Sequence, residues 1–142
     1  MSRSALLGPV FAMFLLTFVV WVVLYVRRIR FLRENDVDPG DLKKPGELAR
    51  ITPEHVANPS DNFKNLFELP VLFYALVLVL HAADRADALH VATAWAFVGF
   101  RVLHSAVHCT VNVVMLRFGL YLVSALALWL MAARADWQLR VA

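Results

Sequence analysis

Residues 58–83, NPSDNFKNLFELPVLFYALVLVLHAA, decide the fold that the sequence predicts. Asn58 is an expected N-cap and Pro59 suits the first position of a helix. The run that follows, residues 66–80, is apolar except for one charged side chain, that of Glu68. A carboxylate in hydrocarbon is costly, so an intramembrane Glu is a functional-site candidate that needs a partner on another helix.

The composition indicates a polytopic membrane protein. Of 142 residues, 61% are hydrophobic, and the mean hydropathy is +0.63. The length allows four spans of roughly 20 residues each. The net charge is only +3 and no soluble basic domain is present, so we expect no nucleic-acid partner. The single cysteine, Cys109, excludes an internal disulfide and a Cys-rich metal site.

We predict an all-α, integral membrane four-helix bundle that forms a single domain over residues 1–142. The expected spans are residues 5–26, 62–83, 90–112 and 117–134. Pro70 should kink the second span just after Glu68. The connection at 27–58 is expected to be mostly loop, because turn-forming residues interrupt it at Pro39, Gly40, Pro45, Gly46 and Pro53.

The distribution of Lys and Arg predicts the orientation in the membrane. Nine of these residues lie in the first and third connections: Arg27, Arg28, Arg30, Arg33, Lys43, Lys44, Arg50, Lys64 and Arg117. Four lie at the N-terminus, in the second connection and in the tail: Arg3, Arg85, Arg134 and Arg140. Because positive loops stay inside, we expect a cytoplasmic first loop and two non-cytoplasmic termini.

Arg101 is the expected partner of Glu68. It lies ~16 Å from the end of the third helix, and Glu68 lies ~14 Å from the start of the second, at 1.5 Å per residue. Opposite charges at one depth on neighbouring antiparallel helices should pair. Such a pair could lock two helices together and do nothing else, or it could form the floor of a polar cavity open to the cytoplasm.

Further polar residues favour the cavity. Arg101, His104 and His108 are spaced i, i+3 and i+7, which places them on one helix face. A second cluster contains Lys64, Asn65 and Glu68, and Arg117 is expected at the same membrane side. These groups suit a small anionic ligand. The histidines could instead hold a metal, but no motif completes such a site, and a proton relay would need a polar route across the other spans.

Two motifs resemble the MAPEG family, the membrane-associated proteins of eicosanoid and glutathione metabolism. Lys64-Asn65-x-x-Glu68 is similar to the family's Arg-Asn-x-x-Glu on the second helix. Arg101-x-x-His104-x-x-x-His108, followed by Arg117, is similar to a pattern of the prostaglandin E synthase branch. The resemblance covers nearly the whole chain. It looks closer to the bacterial members than to the eicosanoid enzymes, which implies a bacterial inner membrane.

The resemblance implies a homotrimer in the lipid bilayer, with glutathione as co-substrate, no metal, and a hydrophobic small molecule as second substrate. Glutathione would contact Lys64, Asn65, Glu68, Arg101 and His104. Arg117 and His108 would be the catalytic residues, with Arg117 stabilising the thiolate that attacks a lipophilic electrophile or reduces a hydroperoxide. The alternative is a non-catalytic scaffold or lipid-binding protein of the same family.

Three residues depart from the family pattern. Lys64 stands where the family has an arginine, His108 where the prostaglandin E synthase branch has a tyrosine, and Phe118 where that branch has a serine. A lysine is a point charge, whereas an arginine can grip a carboxylate through two hydrogen bonds. These departures bear on turnover more than on ligand binding.

Overall fold

The computed structural model describes residues 3–44 and 46–141, without the side chains of Arg3 and Ser4, and its described residues contain helices and no strands. Pro45, expected to interrupt the first connection, lies outside the described residues. Short 3-10 helices occur at Arg3–Leu6 and Pro39–Asp41. The α-helices are α1 (Leu7–Glu34), α2 (Glu47–Ile51), α3 (Glu54–Asn65), α4 (Leu69–Ala82), α5 (Ala88–Cys109) and α6 (Val114–Val141).

Helix α5 lies at the centre of the fold. It packs most extensively against α6 and also contacts α1 and α3. Its first half contributes Ala94 and Phe97 to the apolar core, where Phe97 stacks on Phe73 of α4 with ring centroids 4.8 Å apart. Gly8 of α1 allows close approach, since a Cβ there would lie 3.3 Å from the Trp95 ring. The core thus fixes α5 against its neighbours.

Three helical stretches are long and apolar enough to cross a membrane: Leu7–Glu34, Glu54–Ala82 (α3 and α4 together) and Val114–Val141. Their outer faces expose large apolar side chains, such as Phe11, Phe18 and Leu130. Exposed apolar surface of this extent is unfavourable in water. These helices therefore indicate a membrane protein. Helix α5, with its arginine and three histidines, is not among the three.

The expectation of a mostly irregular connection at 27–58 was wrong. Helix α1 continues to Glu34, and α2 and the first part of α3 also lie in this stretch. The sequence RRIRFLRE contains good helix formers and neither Gly nor Pro, so a helix can leave the membrane without ending. Arg30 and Glu34 pair one turn apart at 2.7 Å on the exposed face of this extension.

The second span is a broken helix and begins earlier than expected. Pro53 is the N-cap of α3, whereas Asn58 lies within that helix and is buried. The expected kink at Pro70 is a full interruption, because α3 ends at Asn65 and α4 begins at Leu69. Pro70 cannot donate a backbone hydrogen bond to the preceding turn, which favours a new helix start there.

Pro59 has a structural consequence for a distant arginine. A proline inside a helix leaves the carbonyl four residues earlier without its usual donor, and here that carbonyl belongs to His55. Arg27 Nη1 donates to the His55 carbonyl at 2.7 Å and to the Cys109 carbonyl at 2.8 Å. Cys109 is the last residue of α5, so Arg27 connects the C-terminal part of α1 to the end of α5 and the start of α3.

Candidate functional site

The break between α3 and α4 determines the partner of Arg101. Arg101 is fully buried, and its Nη2 donates to the Asn65 carbonyl at 2.8 Å. Asn65 ends α3, so its carbonyl lies at the negative end of the helix dipole, where a cation is favoured. Glu68, the expected partner, is exposed and forms no ion pair with Arg101 within 4.0 Å in the described chain. That expected pairing was wrong because the break offers a nearer acceptor.

Three of the four Arg and His residues of α5 lie in its second half and share one buried face, as their spacing predicts. Arg101, His104 and His108 are 0%, 3% and 3% exposed. The same face is apolar midway along α5, where Ala94, Phe97 and Val98 are buried, and it carries buried His90 near the helix start. We call the cluster of Arg101, His104 and His108 the basic layer of α5. It replaces the apolar core in the second half of the helix.

Helix α6 covers the basic layer. His104 Nδ1 lies 2.9 Å from the Arg117 carbonyl, and the His104 ring also contacts Tyr121, with centroids 5.9 Å apart. The Arg101 guanidinium lies 5.6 Å from the centroid of the same Tyr121 ring, within the range of a cation–π interaction. His104 and His108 meet edge to face at 5.6 Å. Tyr121 is therefore a member of the site that the sequence motifs did not include.

The residues expected to bind a ligand from the second helix lie further out. Lys64 is exposed and pairs with Asp61 at 2.9 Å, while Asn65 is half-buried. Within the described chain, no hydrogen bond or ion pair joins the side chain of Lys64 or Glu68 to the basic layer. The residues expected to line one cavity therefore form two zones, an outer polar surface and the buried basic layer, and Arg117 is half-exposed.

Buried amides connect α3 to α5 and to the turn before α6. Asn62 is fully buried, and it accepts a hydrogen bond from Ser105 Oγ at 3.3 Å and donates to Cys109 Sγ at 3.5 Å. Asn58 accepts from Asn112 Nδ2 at 3.3 Å. The sequence reasoning missed these residues. A signal existed, because positions 58, 62 and 65 are all Asn and share a helix face at i, i+4 and i+7.

Several buried nitrogens of the basic layer lack a hydrogen-bond partner. They are Arg101 Nε, Arg101 Nη1, His104 Nε2 and His108 Nδ1. Buried polar groups are almost always satisfied in folded proteins, so a cluster of unsatisfied ones needs an explanation. The two Arg101 nitrogens are donors, whereas His104 Nε2 is a donor only in a protonated ring, because Nδ1 already donates to the Arg117 carbonyl. The layer therefore has unused capacity for an anionic or acceptor-rich group.

An apolar groove of about 340 Å³ lies between α1 and the α3–α4 break. Aromatic rings form most of its wall, and its lining residues are Phe14, Thr17, Phe18, Trp21, Phe63, Leu66, Phe67 and Tyr74. Its α1 residues are exposed on the face that would meet lipid. The groove can accept a flat or chain-like apolar molecule directly from a bilayer.

Comparison with known protein families identifies the family of the chain. The profile of the MAPEG family matches residues 6–137, which include α1 to α5 and nearly all of α6. The chain belongs to the MAPEG family. The expected family is thereby confirmed. No curated protein sequence and no solved structure matches this MAPEG chain significantly.

Proposed function

We propose that this MAPEG protein is a membrane-bound, glutathione-dependent transferase or peroxidase that acts on lipophilic electrophiles or hydroperoxides by thiolate attack. The observation that carries the proposal is the basic layer of α5, in which an arginine and two histidines retain unsatisfied buried nitrogens. Glutathione is an anionic peptide rich in acceptors, so its carboxylates match this unused donor capacity. Family membership, which includes glutathione-dependent enzymes, supports the same conclusion.

The two zones suggest different roles. Lys64, Asn65 and Glu68 at the surface would contact the charged ends of the peptide, with Glu68 receiving its ammonium group. Arg101 and His104 would hold carboxylate or amide oxygens from the buried side, and His108 would lie near the sulfur. Arg117, which is half-exposed, would face the thiol. A free thiol has a pKa of about 8.5, and a neighbouring cation lowers it and enriches the nucleophilic thiolate.

The chemistry then needs no metal. In conjugation, the thiolate forms a sulfur–carbon bond and the leaving group departs with the electron pair of the broken bond. In peroxide reduction, the thiolate attacks the terminal oxygen and forms a sulfur–oxygen bond, the O–O bond breaks, and the alkoxide takes up a proton. The resulting sulfenic acid condenses with a second glutathione to give the disulfide and water. Two glutathione molecules supply the two electrons.

We further propose that the lipophilic substrate enters from the bilayer through the aromatic groove at α1. The assembly would be a homotrimer of four-span bundles, as the family resemblance implies. Helix α5 would be a span in addition to the three apolar ones, since its arginine and histidines are buried within the bundle and so kept from lipid. The long first connection would face the cytoplasm of a bacterial inner membrane and both termini the opposite side. The excess of Lys and Arg in the first and third connections supports this orientation.

Calorimetric titration of the purified protein in lipid nanodiscs with glutathione tests the proposal. We expect saturable binding that is weakened at least tenfold in Glu68→Ala, because the peptide ammonium loses its carboxylate partner. Asp41→Ala, which removes an exposed carboxylate of the first connection, is the matched control. Absence of binding, together with no conjugation of chlorodinitrobenzene above the uncatalysed rate, would rule out the enzyme.

A non-catalytic scaffold is the second candidate, and one observation favours it. Arg101 and His104 already contact backbone carbonyls of α3 and α6, so they hold helices together without any ligand. If the protein is only a scaffold, Arg117→Ala and Glu68→Ala would change neither glutathione binding nor chlorodinitrobenzene conjugation. A Glu68→Ala protein that folds normally and loses glutathione binding would exclude the scaffold.

A further inference from the structure

The guanidinium of Arg117 is held by a chain of side-chain amides. Arg117 Nη1 donates to Asn112 Oδ1 at 2.6 Å, and Asn112 Nδ2 donates to Asn58 Oδ1 at 3.3 Å. Asn58 is 8% exposed within α3, so the chain is anchored in the interior. We propose that Asn112, supported by Asn58, is a positioning residue that fixes the Arg117 guanidinium towards the thiol. This inference rests on the proposed glutathione-dependent function.

The backbone of Asn112 fixes the direction of its side chain. Asn112 lies in the turn between α5 and α6 with φ of 47°, in the left-handed region that Asn tolerates better than most residues. Its N–H donates to the Val107 carbonyl at 2.8 Å and closes the end of α5. The side chain therefore starts from a backbone that this hydrogen bond holds. From there the amide oxygen orients Arg117 through the 2.6 Å hydrogen bond.

The neutral charge of Asn112 matters as much as its geometry. No carboxylate forms an ion pair with Arg117 within 4.0 Å among the described residues. A carboxylate at position 112 would orient the guanidinium equally well but would neutralise much of its field. An amide orients Arg117 and leaves its charge available to an incoming anion. This is the arrangement that stabilisation of a thiolate requires.

The surroundings of Arg117 contain few other charges. His104 of α5 contacts its carbonyl at 2.9 Å, and Arg117 also acts electrostatically on His108. Arg101 of α5 and Asp61 of α3 act electrostatically on His108 in the same region. These groups stay unchanged when Asn112 is replaced. A change in thiol ionisation in such a variant therefore reports on the placement of Arg117.

Asn112→Gly is the decisive variant, because glycine accepts the positive φ and only the amide is lost. The readout is the pH at which half of the bound glutathione is thiolate, measured by ultraviolet absorbance with the full-length protein in nanodiscs. We expect this midpoint to rise by about one pH unit, the lower end of the shift that a nearby opposite charge produces. Asp36→Gly is the matched control, since Asp36 has φ of 50° beyond the end of α1. Its midpoint should equal that of the unmodified protein.

Two further variants make the test complete. Asn112→Asp keeps an acceptor for Arg117 and adds a negative charge, so it should raise the midpoint at least as far as Asn112→Gly. Asn58→Ala removes only the support of Asn112 and should raise the midpoint less. If Asn112→Gly does not fold, Asn58→Ala decides. An unmoved midpoint in the folded variants overturns the positioning role alone. An unmodified protein that gives no bound thiolate overturns the proposed function and this inference together.

Discussion

Within the described residues, charged side chains are paired at the start of α5 and lack a charged partner at its other end. At its start, Asp87 is the N-cap, and its Oδ2 accepts from Arg134 Nε at 2.8 Å and from Gln138 Nε2 at 2.9 Å. Its Oδ1 accepts from the His90 N–H at 2.9 Å. At the other end, the basic layer and Arg117 hold cations that carbonyls and amides contact but no carboxylate pairs with in the described chain.

The difference separates a structural cluster from a candidate binding site. Hydrogen bonds from Arg134, and the further bonds from His90 N–H and Gln138, hold the pKa of the Asp87 carboxyl well below its usual range. Its charge is used to join α5 to α6. Among the described residues, the cations around Arg117 have no carboxylate within 4.0 Å, so their charge is available to a ligand. Compensated charge stabilises this fold, and uncompensated charge marks where chemistry is expected.

Removing Arg117 should have the largest effect. Arg117→Ala deletes the proposed thiolate-stabilising cation, and we expect conjugation of chlorodinitrobenzene to fall by roughly 10²–10³-fold, the usual loss for one electrostatic contact to developing charge. Arg134→Ala removes an arginine at the opposite end of α5 and should leave the rate per folded molecule within about twofold. Steady-state kinetics of both variants check this. Equal losses of rate in the two variants would contradict the distinction between the two ends of α5.

Arg134→Ala should instead reduce stability. The variant leaves the Asp87 carboxylate without its charged donor, and charge-assisted hydrogen bonds contribute about 1.5–3 kcal/mol. We expect a clearly lower thermal midpoint in nanodiscs, whereas Arg117→Ala should change it less. A thermal midpoint equal to that of the unmodified protein would show that the Asp87 cluster does not hold α5 to α6.

Acid should weaken the same cluster. The pKa of Asp87 is lowered in the folded state, so its contribution is complete above the unfolded pKa of about 4 and is lost as the pH falls through the folded value. We therefore expect stability to decline below about pH 4. Asp87→Asn should flatten this decline, and Asp36→Asn in the first connection should not. Denaturation followed by circular dichroism across the acid range measures both slopes.

Lys64→Ala should have the smallest effect on stability. The Lys64–Asp61 pair is 72% and 55% exposed in its two side chains, and exposed pairs contribute about 0–1 kcal/mol. If Lys64 contacts a ligand carboxylate, glutathione binding should weaken severalfold while the thermal midpoint stays unchanged. Lys64→Arg, which can bind a carboxylate through two hydrogen bonds, should bind at least as well. Calorimetry of the two variants separates these effects.

The sequence predicted features that depend on periodicity and missed those that depend on backbone carbonyls. The shared face of Arg101, His104 and His108 follows directly from helical spacing. The contact of Arg101 with the Asn65 carbonyl does not, because it exists only where α3 stops. From the sequence, Arg27 contributes only a positive charge to the predicted orientation. In the structure it also donates to the carbonyl that Pro59 leaves without its usual donor. Helix lengths predict that Glu68 and Arg101 lie at a similar depth in the membrane. They do not predict whether Arg101 contacts a carboxylate or a backbone carbonyl at a helix end.

The most direct test is a pH titration of glutathione bound to the unmodified protein in nanodiscs, followed by ultraviolet absorbance of the thiolate. Uncompensated cations near the sulfur predict a half-ionisation pH at least one unit below the value of about 8.5 for a free thiol. A bound thiol that titrates at the free value would contradict the claim that the uncompensated end of α5 stabilises a thiolate.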